Sequence, residues 1–523
     1  MLTAGRRGWT LGTWLVAAAL ALLLSLPAVW WEPLHADEVV TLRFAPKGLG
    51  EIAHDVFRER GGAPLHFFVE HFSLDWLGGL EGLRLPSVLF FLAALPAAGL
   101  FAWRLLGGRE ALLLPVALAL APMAVTLATF GRMYALFLAA TLWATVAAVF
   151  AAERGRLVPW ALAGVAAGLL VYVHPVAPLY SALVLLTGGL HGEDSLRRLL
   201  RTAWTAPLAL ALVQLPYYVY ALGVLTDRYE VGLGAPRAGT TRLAGRSIPE
   251  QSLHALGPDA LAGGIAFAVL ATAGAVLAWQ RRPRAAAALG LWVLVPVGFF
   301  TLVPTGSTFF FSRYLLPALP AYLLLVLAGS LGLGRFGRAG LLAGSLLTAG
   351  ALAWQATSDV RKLDGLRELE LSDLVTAVNA TEGERIVFSA TGVRPFAGRT
   401  ARALDEYVLL EGAAFDKAPE RDAEALAAFL DSDRRPAVGL WAFGGPPERI
   451  AAARERLAAV AGVEVVPVSP WIVLVRSVTP EEPRSLVEQA LAVREAWYRG
   501  EPEDHEAERL VRVDRRALAG TAE

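Results

Sequence analysis

Long uncharged apolar runs recur through the first two thirds of this chain and end near residue 358. Each run has about 17 to 22 residues, enough for an α-helix to cross a hydrocarbon layer roughly 30 Å thick. We therefore predict an all-α polytopic membrane bundle in residues 1–358 with about eleven transmembrane helices, of which the sixth is short. The predicted spans lie at about 10–31, 85–103, 110–130, 132–151, 157–173, 175–190, 203–223, 259–279, 285–303, 314–333 and 339–356.

Clusters of arginine precede the first span and follow every second span. Short cytoplasmic loops of membrane proteins are rich in lysine and arginine. Arginines occur before span one and after spans two, four, six, eight and ten, and all of these loops fall on the same side of an eleven-span bundle. We therefore expect an inner (plasma) membrane protein with a cytoplasmic N-terminus. The basic loop residues are Arg6, Arg7, Arg104, Arg109, Arg154, Arg156, Arg197, Arg198, Arg201, Arg281, Arg282, Arg284, Arg335 and Arg338.

After residue 358 the character of the chain changes. Charges are frequent in residues 359–523, and short apolar runs at 385–390, 437–443 and 463–477 predict strands separated by helical patterns. We expect a small α/β domain here, extracytoplasmic because span eleven ends on the outer side. The tail that follows Gly500 is predicted to be partly disordered.

Several classes of function find no support in the composition or motifs. The chain has no cysteine, which excludes disulfides, thiolate metal sites and a cysteine nucleophile. Its 47 basic and 47 acidic residues give no signal for nucleic acid, and we expect no such partner. Residues 359–523 contain no Walker motif, dinucleotide fingerprint or nucleophile elbow.

The outward ends of the spans carry a distinctive set of polar side chains. Ionisable groups close to the membrane core are costly, so at such positions they indicate a functional site. The set comprises Asp37 and Glu38 after span one, Arg84 at the start of span two, Arg132 and Tyr134 at the start of span four, His174 between spans five and six, and Arg313 and Tyr314 at the start of span ten.

Two amphipathic segments follow the acidic pair in the first outer loop. GLGEIAHDVFRERG (48–61) and APLHFFVEHFSLDWLGGL (63–80) combine an apolar face with charges at helical spacing. They predict helices that lie in the membrane interface, within residues 45–80. Such helices would cover a cavity at the outer end of the bundle.

The order of these features resembles a known family. The acidic pair, the two interfacial helices, RLPSVL (84–89), GRMYAL (131–136), a His-Pro at 174–175 and SRYLLPALP (312–320) follow one another along the chain. This order is similar to that of membrane-embedded sugar transferases with the GT-C fold. The nearest resemblance is to bacterial relatives of the protein O-mannosyltransferases and of the lipid A aminoarabinose transferase, the RgtA/B/C/D-like group. It covers residues 1–356.

The resemblance implies an inverting glycosyltransferase that moves one sugar from a polyprenyl-phosphate donor to a glycan, lipid or protein acceptor at the outer face. It assigns Asp37 as general base and Glu38 as its neighbour, with Arg132 and Arg313 on the donor phosphate. The further pocket residues that it implies are Tyr134, His174, Arg84, Tyr314 and His66. One departure is that relatives often have His-Pro-Pro before the second interfacial helix, whereas this chain has Ala63 and Pro64, with His66 beyond them.

Each assignment has an alternative in the residues themselves. Asp37 and Glu38 could simply cap and solvate a helix end, or share a divalent cation, although no second cluster of oxygen ligands is evident. Arg132 and Arg313 could be interfacial anchors, and Arg84 could form a structural ion pair.

Two other functions also fit a polytopic chain. A transporter or flippase would bind its coupling ion near the middle of the bilayer, and therefore predicts ionisable residues at that depth. A noncatalytic scaffold would display the C-terminal domain, for which eleven spans would be excessive.

Overall fold

The computed structural model of the protein describes residues 4–31, 38, 41–42, 44–60, 62–108, 110–192, 201–230, 252, 256, 261–302 and 312–336, together with five strands between residues 385 and 477. These residues fall into two compact units. The first unit contains the helices, and the second contains Glu38 and the strands.

The first unit is a helical bundle. Its α-helices are α1 (Ala4–Trp31), α2 (Leu49–Arg60), α3 (Leu65–Leu77), α4 (Gly79–Leu105), α5 (Glu110–Leu120), α6 (Pro122–Ala128), α7 (Tyr134–Arg154), α8 (Leu157–Leu169), α9 (Ala177–His191), α10 (Thr205–Glu230), α11 (Leu261–Arg281), α12 (Pro283–Leu302) and α13 (Leu319–Gly332). Short 3₁₀ helices occupy Leu170–Tyr172, Ser312–Ala318 and Leu333–Phe336.

Within the described residues, seven helices are long and apolar enough to cross a membrane. The bent pair α5 and α6 makes an eighth if it is counted as one span, and two shorter apolar helices cover Leu157–Tyr172 and Ala177–His191. Ten of the eleven predicted spans therefore coincide with apolar helices. The eleventh, 339–356, lies outside the described residues. The prediction of a polytopic membrane bundle is confirmed.

The third predicted span is broken rather than continuous. Helices α5 and α6 meet at an angle of 60°. Ala121 between them is extended, with φ −71° and ψ 122°, and Pro122 begins α6. Proline lacks an N–H and disfavours a helical residue before it, which explains the break at this point. Helix α6 then ends early, at Ala128, and leaves a turn before α7.

Glycines bring helix backbones into direct contact in the bundle. A Cβ added to Gly274 in α11 would lie 1.9 Å from the carbonyl oxygen of Leu325 in α13. A Cβ on Gly329 in α13 would lie 2.1 Å from the carbonyl oxygen of Leu270 in α11. Such close approach through small residues is typical of helices that associate within a bilayer.

The predicted basic loops meet at one end of the bundle. Arg104, at the end of α4, forms an ion pair with Glu153 at the end of α7. The same carboxylate lies 3.3 Å from Nε2 of His191, at the end of α9. Arg282, between α11 and α12, donates from Nη1 to the carbonyl of Leu105 at 3.1 Å. These contacts join helix ends that the sequence assigns to the same side.

Both segments predicted to be amphipathic form helices, α2 and α3. Helix α2 packs on α10 through Phe57 and Tyr217, whose ring centroids are 5.0 Å apart. Helix α3 has one face that is buried, with His66, Phe67 and Glu70. Its opposite face exposes large apolar side chains, among them Trp76, which is 86% exposed. This division is expected for a helix that separates a packed interior from a membrane interface.

The second unit contains a mixed five-stranded sheet. Its strands are β1 (Arg385–Phe388), β2 (Tyr407–Leu409), β3 (Ala437–Ala442), β4 (Val463–Pro467) and β5 (Ile472–Ser477), in the order β2-β1-β3-β5-β4. Strand β1 is parallel to β2 and β3, whereas β5 is antiparallel to β3 and β4. The three strand predictions are confirmed, but the run at 463–477 forms two strands, β4 and β5. Strand β2 was not predicted from the sequence.

Candidate active site

A tight turn between α6 and α7 carries Arg132. The N–H of Arg132 donates to the carbonyl of Phe130 at 2.6 Å, which reverses the chain before α7 begins. Gly131 lies against Leu83 of α4, and a Cβ at this position would be 2.5 Å from Cγ of Leu83. Only glycine therefore allows the turn to pack this closely on α4.

The guanidinium group of Arg132 is enclosed within the bundle. The residue is 8% exposed, and its Cζ lies 5.5 Å from the ring centroid of Phe67 in α3. Among the described residues, Nε and Nη1 of Arg132 are buried and have no hydrogen-bond partner. A buried charge with unused donors is costly unless an anion is bound to it. Arg132 is thus suited to hold an anionic ligand.

Arg313 approaches the same helix end from another part of the chain. It lies in the 3₁₀ helix Ser312–Ala318, directly before α13. Its Cζ is 5.3 Å from the ring centroid of Tyr134 and 6.0 Å from that of Phe130. Those two rings are nearly parallel, with 12° between their planes. The two rings form a cation–π surface for Arg313 at the start of α7.

His174 lies in the turn before α9 and is surrounded by aromatic rings. It stacks on Phe137, and Tyr134 and Tyr314 lie 5.6 and 5.1 Å from it, centroid to centroid. Its burial, together with the charges of Arg132 and Arg313, lowers the pKa of His174 to about 3. The imidazole is therefore neutral at physiological pH.

The tautomer of His174 follows from a hydrogen bond that its ring accepts from the backbone. The N–H of Val176 donates to Nδ1 at 3.2 Å, so the proton of the neutral ring lies on Nε2. Nε2 is buried and has no hydrogen-bond partner among the residues that the structure describes. The ring thus supplies one N–H donor that the described part of the protein does not use.

His66 projects from α3 towards the turn that carries Arg132. Its Nε2 donates to the carbonyl of Gly131 at 3.2 Å. Burial, with the charge of Arg132, lowers the pKa of His66 to about 3, so this ring is also neutral. Its Nδ1 lies 3.7 Å from Oε1 of Glu70, which is fully buried on the same helix face. Glu70 was not among the predicted residues, although its spacing of four from His66 on an apolar helix was a usable signal.

Arg84 makes its hydrogen bonds at the end of α1. Its buried guanidinium donates from Nη1 to the carbonyls of Ala28 and Val29, at 3.2 and 3.1 Å. From the same helix, Glu81 accepts a hydrogen bond from Nε1 of Trp30 at 2.6 Å. Helix α4 therefore fixes the end of α1, the helix that precedes the acidic pair in the sequence.

The acidic pair is only partly described. Glu38 is buried and belongs to the second unit, while Asp37 lies outside the described residues. In the part of the chain that the structure describes, no three His, Asp or Glu side chains are placed to hold a metal ion. A divalent cation at Asp37 and Glu38 therefore stays a prediction.

The structure brings six of the predicted side chains to the start of α7 and its surroundings. Tyr314 completes the group: its carbonyl accepts a hydrogen bond from the hydroxyl of Tyr180 at 2.6 Å, and its ring is one of those around His174. The six are His66, Arg132, Tyr134, His174, Arg313 and Tyr314. They come from four separate segments of the chain, and the two arginines and His174 are the groups suited to bind an anion.

Comparisons with known proteins identify the fold. No protein-family model matches the sequence, and no curated protein matches it. ArnT from Cupriavidus metallidurans in the apo state is similar in structure, with a TM-score of 0.58 and 16% identity, over 91% of this chain and 98% of that one. ArnT bound to undecaprenyl phosphate matches with a TM-score of 0.56 and 16% identity, over 90% of this chain and 98% of that one.

An archaeal protein matches as well. The oligosaccharyltransferase AglB from Archaeoglobus fulgidus, in complex with an inhibitory peptide and a dolichol-phosphate, has a TM-score of 0.50 and 13% identity, over 84% of this chain and 70% of that one. At this level of identity the likeness is one of fold, and it agrees with the resemblance of the sequence motifs. This polytopic membrane protein has the GT-C fold.

Proposed function

We propose that this chain is an inverting glycosyltransferase, which moves a single sugar from a polyprenyl-phosphate donor to a lipid, glycan or protein acceptor at the outer face of the membrane. The observation that carries this proposal is the meeting of Arg132, Arg313 and His174 at one end of a GT-C bundle. Arg132 and His174 have buried donors, Nε and Nη1 of the first and Nε2 of the second, with no hydrogen-bond partner in the described residues. A phosphate would satisfy them.

The two arginines would stabilise the leaving group. When the bond between the sugar and the phosphate breaks, negative charge grows on the polyprenyl phosphate. Guanidinium groups placed where charge develops lower the barrier, and arginine forms strong hydrogen bonds to phosphate oxygens. Because Arg132 and Arg313 each lie against an aromatic ring, little reorganisation would be needed when the donor binds.

His174 would add an uncharged donor to the same phosphate. Its Nδ1 already accepts the Val176 N–H, so only Nε2 can donate. Because the His174 ring is neutral, it adds no positive charge that would repel Arg132 and Arg313. Its role would be to orient the phosphate and to share the charge that develops on it, and it would not transfer a proton.

Asp37 would act as the base. An acceptor hydroxyl must lose its proton as its oxygen attacks the anomeric carbon, and a carboxylate within about 3 Å can accept that proton. In an inverting reaction the acceptor attacks opposite to the departing phosphate, so base and phosphate-binding groups belong on opposite sides of the sugar. Glu38 would orient Asp37 or share a divalent cation with it.

Two structures of similar fold support the class of donor. One is ArnT bound to undecaprenyl phosphate, and the other is AglB in complex with a dolichol-phosphate. Both ligands are long isoprenoid phosphates. A site with two arginines at the end of a membrane bundle matches that chemistry. Under this proposal the basic end of the bundle faces the cytoplasm of the cell, and the site and the C-terminal domain lie outside.

The distribution of charge disfavours the transporter alternative. In the described helices that could cross a membrane, the Asp, Glu, Lys and Arg residues all lie within about two turns of a helix end. A coupling-ion site near the midplane would need ionisable groups further inside. The glycosyltransferase is therefore the function that the described residues support best.

The test is a transfer assay with the purified protein in nanodiscs. A polyprenyl-phosphate donor with a radiolabelled sugar is supplied together with a membrane extract that contains acceptors. We expect label in the acceptor fraction and release of polyprenyl phosphate. Asp37→Asn should lower the rate at least about 100-fold, because general base catalysis is worth that much.

Other outcomes would count against the proposal. Transfer at the normal rate by Asp37→Asn would remove the assigned base. Ion-coupled uptake into vesicles without any transfer of sugar would instead support the transporter.

A further inference from the structure

Side chains from other elements hold the backbone of the turn that carries Arg132. The hydroxyl of Ser87 in α4 donates to the carbonyl of Phe130 at 2.7 Å and to that of Arg132 at 3.3 Å. The carbonyl between them, that of Gly131, accepts the hydrogen bond from His66 described above. Three consecutive carbonyls are therefore bound by side chains.

The same Gly131 carbonyl accepts a second hydrogen bond, from Thr41. Its hydroxyl donates at 3.0 Å, and the residue is fully buried. Thr41 and Gly131 are 90 positions apart in the sequence. A carbonyl oxygen has two lone pairs, so Thr41 and His66 together use its full capacity.

These contacts matter because the turn has no regular structure of its own. A buried carbonyl without a partner is costly, and in α7 the carbonyls are satisfied by the helix itself. Apart from the Arg132 N–H on the carbonyl of Phe130, the donors described above for the carbonyls at 130–132 are side chains, and these come from three different segments. The conformation of the turn, and with it the position of the guanidinium group of Arg132, is thus set by Thr41, His66 and Ser87.

Thr41 also lies close to the acidic pair in the sequence. It follows Glu38 by three residues and Asp37 by four. A short covalent segment therefore joins the predicted base to a residue that is hydrogen-bonded beside Arg132. Of the three donors, Thr41 alone lies within a few residues of the acidic pair.

We infer that Thr41 is a positioning residue, which with His66 and Ser87 holds the Arg132 turn in the geometry needed for donor binding and transfer. This inference rests on the proposed function, in which Arg132 binds the donor phosphate. Misplacement of a substrate-binding group by about 1 Å can lower a rate by roughly 100-fold. A lost neutral hydrogen bond alone accounts for about 2- to 10-fold.

The experiment compares Thr41→Val with Thr41→Ser. Valine has nearly the shape of threonine but no hydroxyl, whereas serine retains the hydroxyl. Affinity for unmodified polyprenyl phosphate, the kcat and KM of transfer, and the midpoint of thermal unfolding are measured for each protein in nanodiscs. We expect Thr41→Val to lower kcat/KM about tenfold or more, and Thr41→Ser to stay within about threefold of the parent.

Thr145→Val is the matched control. Thr145 is also fully buried, but its hydroxyl donates to the carbonyl of Thr141 within its own helix, at 2.8 Å. It should leave transfer unchanged. If Thr41→Val fails to fold, Ser87→Ala replaces it, with Ser87→Thr as the variant that retains a hydroxyl.

A double-mutant cycle separates positioning from general stability. In a protein that already carries Arg132→Ala, removal of the Thr41 hydroxyl should cause no further loss of donor affinity, because the positioned group is gone. Normal transfer by Thr41→Val, or an equal loss in both backgrounds, would overturn the inference. If Arg132→Ala itself transfers sugar normally, the proposed function fails independently of Thr41.

Discussion

The imidazole of His174 lies parallel to the ring of Phe137, with 5.0 Å between ring centroids and 16° between ring planes. This stacking fixes the plane of the imidazole, and the Val176 N–H fixes its tautomer. Together they define one direction for the Nε2–H donor. A rigid donor loses little entropy when it binds a ligand, which suits a group that recognises phosphate.

The first prediction concerns that donor. His174→Phe keeps an aromatic ring against Phe137 but removes the N–H, and His174→Gln retains an amide N–H near the same position. Because a hydrogen bond to a charged group contributes about 1.5–3 kcal/mol, His174→Phe should weaken donor binding about 10- to 100-fold. His174→Gln should lose much less. Titration with polyprenyl phosphate checks this, and equal affinities for the two variants would contradict it.

The second prediction concerns the shape of the cation at position 132. Arg132→Lys keeps the charge but replaces a planar fork of donors with a point charge, so it should still lower kcat/KM at least about tenfold. Arg132→Ala should lower it about 100- to 1,000-fold, as for other donors to a developing charge. Arg104→Lys is the control, since Arg104 pairs with Glu153 at the opposite end of the bundle. A similar rate for Arg132→Lys and Arg104→Lys would argue against a phosphate contact.

The third prediction is a loss of stability in acid. Burial and nearby arginines lower the pKa of His66 and of His174 to about 3, whereas an unfolded histidine titrates near 6.5. Between those two values the unfolded chain binds a proton that the folded protein does not, so stability falls as the pH drops through 6.5. From pH 7 to pH 5 the loss is about 2 kcal/mol for each histidine.

Unfolding midpoints in mild detergent at the two pH values measure this effect. His66→Gln and His174→Gln should each reduce the change, because glutamine does not titrate. The pH–rate profile should in turn lack a step near 6.5 that belongs to either ring. A parent protein and variants with the same pH dependence of unfolding would contradict the prediction.

The fourth prediction concerns Gly131. Gly131→Ala places a methyl group 2.5 Å from Cγ of Leu83, so the turn or α4 must move. Overpacking of this kind costs about 1–3 kcal/mol, and it should also impair transfer by displacing Arg132. Leu83→Ala makes room, so the double variant should be less impaired in transfer than the sum of the two single changes suggests. Strict additivity in both stability and rate would show that the two residues are not coupled.

The sequence was sufficient to predict the bundle and to single out side chains that the structure brings together. Uncharged runs of membrane-spanning length predict transmembrane helices directly. The arginine-rich short loops indicate which helix ends lie on the same side of the membrane. Sidedness points to five of the six residues around the start of α7, because they lie at span ends on one predicted side: Arg132, Tyr134, His174, Arg313 and Tyr314. Their meeting around the start of α7 follows from that sidedness. His66 is indicated only by the family resemblance.

Other features depend on packing that no local pattern reveals. Ser87 and Thr41 are ordinary residues in the sequence, and their partners lie 43 to 90 positions away. Which carbonyl a hydroxyl reaches is decided by how α4 and the segment near Thr41 meet the turn. Strand β2, with three residues, is too short to give a period. The break at Pro122, by contrast, had a local signal, since proline commonly interrupts a helix.

The glycine contact between α11 and α13 restricts where a long isoprenoid chain could pass between these two helices. At Gly274 and Gly329 the two backbones leave no space for a methyl group, and a prenyl tail is thicker than that. Gly329 lies sixteen residues after Arg313, near the end of α13, and Gly274 lies about two turns before the end of α11, so this contact closes the seam near the basic end of the bundle. Under the proposed function, the tail of a lipid-linked donor therefore cannot pass between α11 and α13 at the level of these two glycines.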